Sequence, residues 1–101
     1  MLVTLRQLQY IVAVADQQSF SKGAEICGAE QSTVSQQVKQ VEEKLGVKIF
    51  IKSEYPIMPT NEGKEVIQQA RYILEKVDEL IAPFKNPSPS CFNNLGAKSG
   101  L

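Results

Sequence analysis

Apolar residues recur at every third or fourth position along most of the first eighty residues, which is the spacing of helices with one buried face. Leu5, Leu8, Ile11, Val12 and Ala15 mark a first helix over 4–17, with Thr4 placed as its N-cap. Ser21 is placed to cap a short second helix that runs to Cys27, with Phe20 packing inward just ahead of it and Gly28 as the stop. A third helix is predicted over 31–45, closed by Gly46. Val34, Val38, Val41 and Leu45 share one stripe of it at about 100° per residue. Ser32, Gln36, Lys39 and Glu43 share the opposite stripe, flanked by Thr33 and Gln40 on one side and Ser35 on the other. That outward face is polar and amide-rich in its first half, and acid gathers at the other end in Glu42 and Glu43.

The period then changes. Residues 47–51 are β-branched and aromatic, Ile57-Met58 is a second short apolar stretch, and the five residues between them have turn character. A two-stranded hairpin is the economical reading. Thr60 caps a long helix that reaches about Ala82 and ends before Pro83. Val66, Ala70, Ile73, Val77 and Leu80 alternate by four and three along it, with Ile67, Leu74 and Ile81 on a second seam. Two seams are more apolar surface than one small domain covers, so Ile73, Leu74, Val77, Leu80 and Ile81 are expected to meet a second subunit. From Phe84 on, Pro, Ser, Asn and Gly show no periodicity, and 84–101 is expected to be a disordered tail. The expected fold is therefore mainly α: a winged helix-turn-helix of three helices and a two-stranded wing over 1–60, then a dimerisation helix over 61–83.

Composition narrows the chemistry. At 101 residues, 43% hydrophobic and 22% charged, the chain suits one small globular domain. No apolar run approaches the roughly 20 residues that span a bilayer, and residues 1–9 lack the order of a signal peptide, so a cytoplasmic location is expected. There is no histidine, which removes the commonest general base and metal ligand and argues against an enzyme. Cys27 and Cys91 have no metal-ligand spacing, and Cys27 is expected to be a buried structural thiol. No cofactor, metal, membrane or small-molecule site is expected. Net charge is zero, which is unusual for a nucleic-acid binder. From Ser19 to Ser53, however, five lysines face four glutamates, so any binding must use a local patch.

Two short helices joined by a tight turn and followed by a β-ribbon are built to place the second helix of the pair in the major groove of double-stranded DNA. Gln suits adenine N6 and N7, Lys suits guanine O6 and N7, and Ser or Thr suits either kind of group. Lys52, at the hairpin tip, is placed to neutralise phosphate.

The runs LRQLQYIVAVADQQSFSKGAE, EQSTVSQQVKQVEEKLGVKIF and PTNEGKEVIQQARYIL resemble the N-terminal domain of LysR-type transcriptional regulators. Ser19-Phe20, Ala24, Gln31, Ser35, the Leu45-Gly46-Val47 corner, Phe50 and the Thr60–Gly63 helix start occupy matching places. The wing spelling KIFIKSEYPIMPT is most similar to the peroxide-sensor-like branch. The resemblance implies a sequence-specific regulator that binds an interrupted palindrome as a homodimer or tetramer, paired antiparallel through the long helix. It places DNA contacts on Ser21 and Lys22, on Gln31, Ser32, Thr33, Ser35, Gln36 and Lys39, and on Lys52 and Ser53. Three departures each remove a DNA-friendly group: Glu30-Gln31-Ser32 where the family has Ser-Gln-Pro, Gln36 where it often has Arg, and Tyr55 where its wing commonly bears Arg. The family's ligand-sensing domain has no counterpart in the residues from Asn86, so the DNA-binding part alone is expected.

A second reading is an interaction module that lacks a sensor, heterodimerises through the long helix and acts as a dominant-negative partner. Glu30 and the zero net charge favour it, whereas the face formed by Gln31, Ser35, Gln36 and Lys39 favours a DNA reader. Lys44, Lys48, Lys64 and Lys76 are read as solvated charges, and Tyr55 as packed within the hairpin. Arg71 is read as paired with Glu75 or with a partner subunit.

Overall fold

A computed structural model describes residues 3–53 and 55–84. The elements in order are α1 (Leu5–Gln17), α2 (Phe20–Cys27), α3 (Gln31–Leu45), β1 (Phe50–Ile51), β2 (Met58–Pro59) and α4 (Asn61–Ile81). The predicted tail lies outside the described residues except for Phe84, as does Cys91.

Helix α1 starts on a capping box: Thr4 Oγ1 accepts from the Gln7 amide (3.1 Å) and Gln7 Oε1 accepts from the Thr4 amide (2.9 Å). Its buried face carries Leu8, Tyr10, Ile11 and Val14, while Leu5 stays exposed and Val12 and Ala15 are half-buried. Helix α2 begins two residues earlier than the sequence suggested. Ser19, not Ser21, has the extended backbone of an N-cap, and its Oγ accepts from the Lys22 amide at 3.1 Å. Phe20 is consequently the first helical residue, its ring buried edge-on to Phe50 with centroids 5.7 Å apart. Ser21 is left exposed. Gly23 lets α2 lie directly on α1, since a Cβ there would stand 3.0 Å from the Val14 backbone.

In α3 the valines 34, 38 and 41 are buried as expected, but Leu45 is 43% exposed and Glu42 is only 3% exposed. The hairpin is shorter than predicted, pairing Phe50 with Pro59 and Ile51 with Met58. Residues 47–49 form no strand, because the Ile49 amide that would extend the ladder is taken by a side chain. The Ile49 amide donates to Glu42 Oε2 (2.8 Å), and the Ile49 carbonyl accepts from the Thr60 amide (2.9 Å). Ile49 itself is fully buried with Ile11, Val14 and the three α3 valines.

Thr60 Oγ1 caps α4 by accepting from the Gly63 amide (2.9 Å), and the same hydroxyl donates to the Lys48 carbonyl. Gly63 is required here: a Cβ would fall 1.9 Å from the Ile49 carbonyl oxygen. Ile67 and Ala70 are buried against the body. Past them α4 runs outward, giving a molecule 49 × 25 × 21 Å. Arg71 binds Asp16 of α1 at 2.5 Å, not Glu75. That hydrogen bond raises the guanidinium pKa, against an opposing effect of burial and with the help of the Asp16 charge.

Candidate nucleic-acid interface

Three elements converge on one polar groove. It holds about 370 Å³ and is lined by the start of α2 (Ser19, Phe20, Ser21), the first turns of α3 (Gln31, Ser35) and the wing (Lys52, Tyr55, Ile57). Four residues singled out in the sequence therefore meet: Ser21, Gln31, Ser35 and Lys52. The left-handed Gly28 turn re-aims the chain between α2 and α3, with the Gly28 and Ala29 amides bonded back to Glu25 and Ala24. The extended backbone at Glu30 then starts α3 beside α2.

The remaining predicted residues lie outside this groove. Ser32, Thr33, Gln36 and Lys39 are exposed along α3, Lys22 is exposed on α2, and Ser53 is exposed on the wing. Gln37 and Gln40 are half-buried, and both accept from Gln7 Nε2, at 2.9 and 3.4 Å, which fixes α3 on α1. Glu30 occupies the N-cap position of α3 without a side-chain hydrogen bond and is exposed. Its carboxylate thus stands free at the end of α3 where backbone amides also point outward.

Two features were not anticipated. Tyr55 does not pack within the hairpin; it is 74% exposed beside the groove, because the wing is too short to offer it a cover. Glu42, read from the sequence as part of an outward acidic end, is buried, and Lys52 Nζ lies 3.8 Å from its Oε1. Lys52 reaches inward over the Phe20 ring, 5.3 Å from the centroid. Cys27 is half-buried, its Sγ 4.0 Å from the Gln9 carbonyl.

A second, apolar groove of about 640 Å³ opens on another side, between the start of α1, the end of α3 and the inner half of α4. Leu5, Leu8, Val41, Leu45, Val66 and Ile73 help to line it. Of the residues expected to meet a second subunit, Ile73, Leu80 and Ile81 are exposed, while Leu74 and Val77 are half-buried. Among the described residues no group of acidic or cysteine side chains could hold a metal, and no helix is long and apolar enough to cross a membrane.

Residues 5–64 match the model of the bacterial regulatory helix-turn-helix proteins of the lysR family. The chain is 36% identical over 81 residues to the HTH-type transcriptional regulator BenM of Acinetobacter baylyi, covering 80% of this chain and 27% of BenM. It is 32% identical over 78 residues to the DNA-binding transcriptional dual regulator OxyR of Escherichia coli, covering 77% of this chain and 26% of OxyR. The chain thus spans about a quarter of the length of these curated relatives. In three dimensions it is similar to the BenM DNA-binding domain in its complex with catB site 1 DNA, with a TM-score of 0.77 at 35% identity over 79% of this chain and 86% of that one. The fold is accordingly the winged helix of LysR DNA-binding domains, and its relatives are transcriptional regulators. By sequence and by fold, this chain belongs to the lysR family of bacterial regulatory helix-turn-helix proteins.

Proposed function

We propose that this chain binds double-stranded DNA sequence-specifically, in the cytoplasm, as the DNA-reading part of a LysR-type regulator. Helix α3 enters the major groove with its N-terminal turns toward the bases. Gln31, Ser32, Thr33, Ser35, Gln36 and Lys39 face base edges and nearby backbone, Ser21 and Lys22 meet phosphate on one side, and Lys52 and Ser53 meet it on the other. The observation that carries this reading is the convergence of Ser21, Gln31, Ser35 and Lys52 from three separate elements on one polar groove. The BenM domain of the same fold binds DNA, which supports it. A pool of random-sequence duplexes, selected on the protein and then titrated at two salt concentrations, tests it. Enrichment of an interrupted palindrome is expected. Binding that shows no sequence preference would refute the specific reading.

A homodimer through α4 is the second part of the proposal. The apolar positions of α4 (Val66-Ile67, Ala70, Ile73-Leu74, Val77, Leu80-Ile81) have the same spacing read in either direction, about a point between Ile73 and Leu74. An antiparallel copy therefore sets apolar residues against apolar residues along the whole helix. Its outer half lies along the inner half of its partner, beside the apolar groove. Full burial of each such side chain favours association by about 1.5–3 kcal/mol, so several together outweigh the cost of pairing. Sedimentation equilibrium should show a dimer for the native chain and a folded monomer for Ile73→Glu/Val77→Glu, with DNA affinity falling alongside. A native chain that is monomeric at tens of micromolar would overturn the dimer and the palindromic site together.

A further inference from the structure

Among the described residues, Glu42 is the one charged side chain that is buried. Its two oxygens are treated differently. Oε2 accepts from the Ile49 amide at 2.8 Å, whereas Oε1 is buried and receives no hydrogen bond. Lys52 supplies the compensating charge, yet its Nζ stops 3.8 Å from Oε1, well beyond the ~2.7–2.9 Å of a direct charge-assisted hydrogen bond. The Lys52 side chain is 43% exposed and lines the polar groove next to Gln31 and Ser35. A buried carboxylate without a cation is costly, so Glu42 draws Lys52 inward across Phe20. A DNA phosphate at the mouth of the groove would draw the same ammonium outward.

We propose that Glu42 is a positioning residue that competes with DNA phosphate for Lys52 and thereby sets how strongly the wing holds DNA. Glu42 does not itself touch DNA. In the free protein it keeps Lys52 folded over Phe20, so that the lysine gives up only part of a phosphate contact. This inference rests on the DNA-binding reading above and adds to it an internal brake on affinity, consistent with the chain's modest local excess of positive charge.

A double-mutant cycle of Glu42→Gln and Lys52→Met, read on random-sequence duplexes between 50 and 200 mM salt, tests it. One fully neutralised phosphate contributes about 0.9 to the log-log salt slope, or roughly three- to fourfold in affinity over that range. In the native background Lys52→Met should lower the slope by less than half of that. In the Glu42→Gln background it should lower it by the full amount, and Glu42→Gln alone should bind DNA about threefold tighter or better. Removing a negative charge at long range would tighten binding equally with or without Lys52, so equal effects in the two backgrounds would overturn the proposal. So would weaker binding by folded Glu42→Gln. Glutamine keeps an oxygen for the Ile49 amide, and circular-dichroism melts check that the variants fold. If glutamine at 42 unfolds the protein, Lys52→Met alone decides: a loss of the full slope shows an unrestrained lysine and ends the idea. Failure of all four proteins to bind any duplex would instead sink the DNA reading, and this inference with it.

Discussion

Helices α3 and α4 carry apolar stripes of nearly the same spacing, and the fold treats them in opposite ways. Val34, Val38 and Val41 of α3 are sealed beneath α1 and Ile49. Ile73, Leu80 and Ile81 of α4 stand in water, with Leu80 68% exposed. The period of a stripe tells which face of a helix is apolar, but it does not tell what will cover that face. For α3 the cover is within the chain. For α4 only the inner half is covered, with Gly63, Ile67 and Ala70 buried and Leu74 half-buried against the core. Leu45 and Leu5 belong with the second case. Both were expected on helix stripes, both are exposed, and both border the same apolar groove as Ile73.

The largest effect is expected at Gly63, where the start of α4 lies directly against the Ile49 backbone. Gly63→Ala must push either α4 or the Ile49 carbonyl aside, because no rotamer relieves a Cβ-to-backbone clash of 1.9 Å. A loss of at least about 3 kcal/mol is expected in urea unfolding, at the upper end of overpacking effects. A change below about 1 kcal/mol would mean that the junction between the wing and α4 is far looser than drawn.

Next in size is the contrast between the stripes themselves. Val38→Ala should cost about 2 kcal/mol at every protein concentration, since it opens a void in a sealed core. Ile73→Ala should leave the dilute protein within about 0.5 kcal/mol of native stability. It should nevertheless weaken dimerisation tenfold or more, so that its unfolding midpoint falls behind that of the native chain only at high concentration. Equal behaviour of the two variants at all concentrations would erase the distinction between a stripe covered within the chain and one covered by a second copy.

Much of this was legible in the residues. The four helices, the stop glycines and the Thr4 and Thr60 caps follow from periodicity and cap chemistry. What escaped was decided by contacts distant in sequence. Glu42 lies four positions after Val38 and one after Val41, on the edge of the buried stripe, but its charge argued for water. Only the Ile49 amide and Lys52, brought in by the corner after α3, make its burial tolerable. The strand predicted over 47–51 is shorter for the same reason: Glu42 takes the Ile49 amide, while the Ile49 carbonyl still bonds the Thr60 amide across the hairpin. The sequence places the cap at Ser21, with Phe20 packing inward ahead of the helix, whereas the structure has Ser19 as the cap and Phe20 as the first helical residue. The helix starts two residues sooner, and Ser19 is buried at the edge of the groove it helps to line.

The smallest expected effect concerns how the same two helices begin. Thr60 caps α4 with its own hydroxyl, so Thr60→Ala should cost about 1–2 kcal/mol. Glu30 stands at the equivalent position of α3 with no side-chain hydrogen bond, so it supports the helix only through its charge near the positive end of the dipole. Serine at this position can donate nothing to that charge interaction but can accept from an α3 amide, as Ser19 does in α2. The two changes oppose each other, and Glu30→Ser should alter folding stability by no more than about 1 kcal/mol in either direction. Its effect on DNA should be larger relative to that baseline. The carboxylate is exposed where α3 starts, next to Gln31 on the groove, and in the proposed DNA-binding mode an incoming phosphate would meet it as a like charge. Glu30→Ser is therefore expected to bind duplex DNA several-fold tighter at low salt, with the advantage shrinking as salt screens the repulsion. An anisotropy titration at two salt concentrations reads this directly. If affinity is unchanged, or if the gain persists undiminished at high salt, the α3 N-terminus does not face phosphate, and the orientation of the recognition helix must be redrawn.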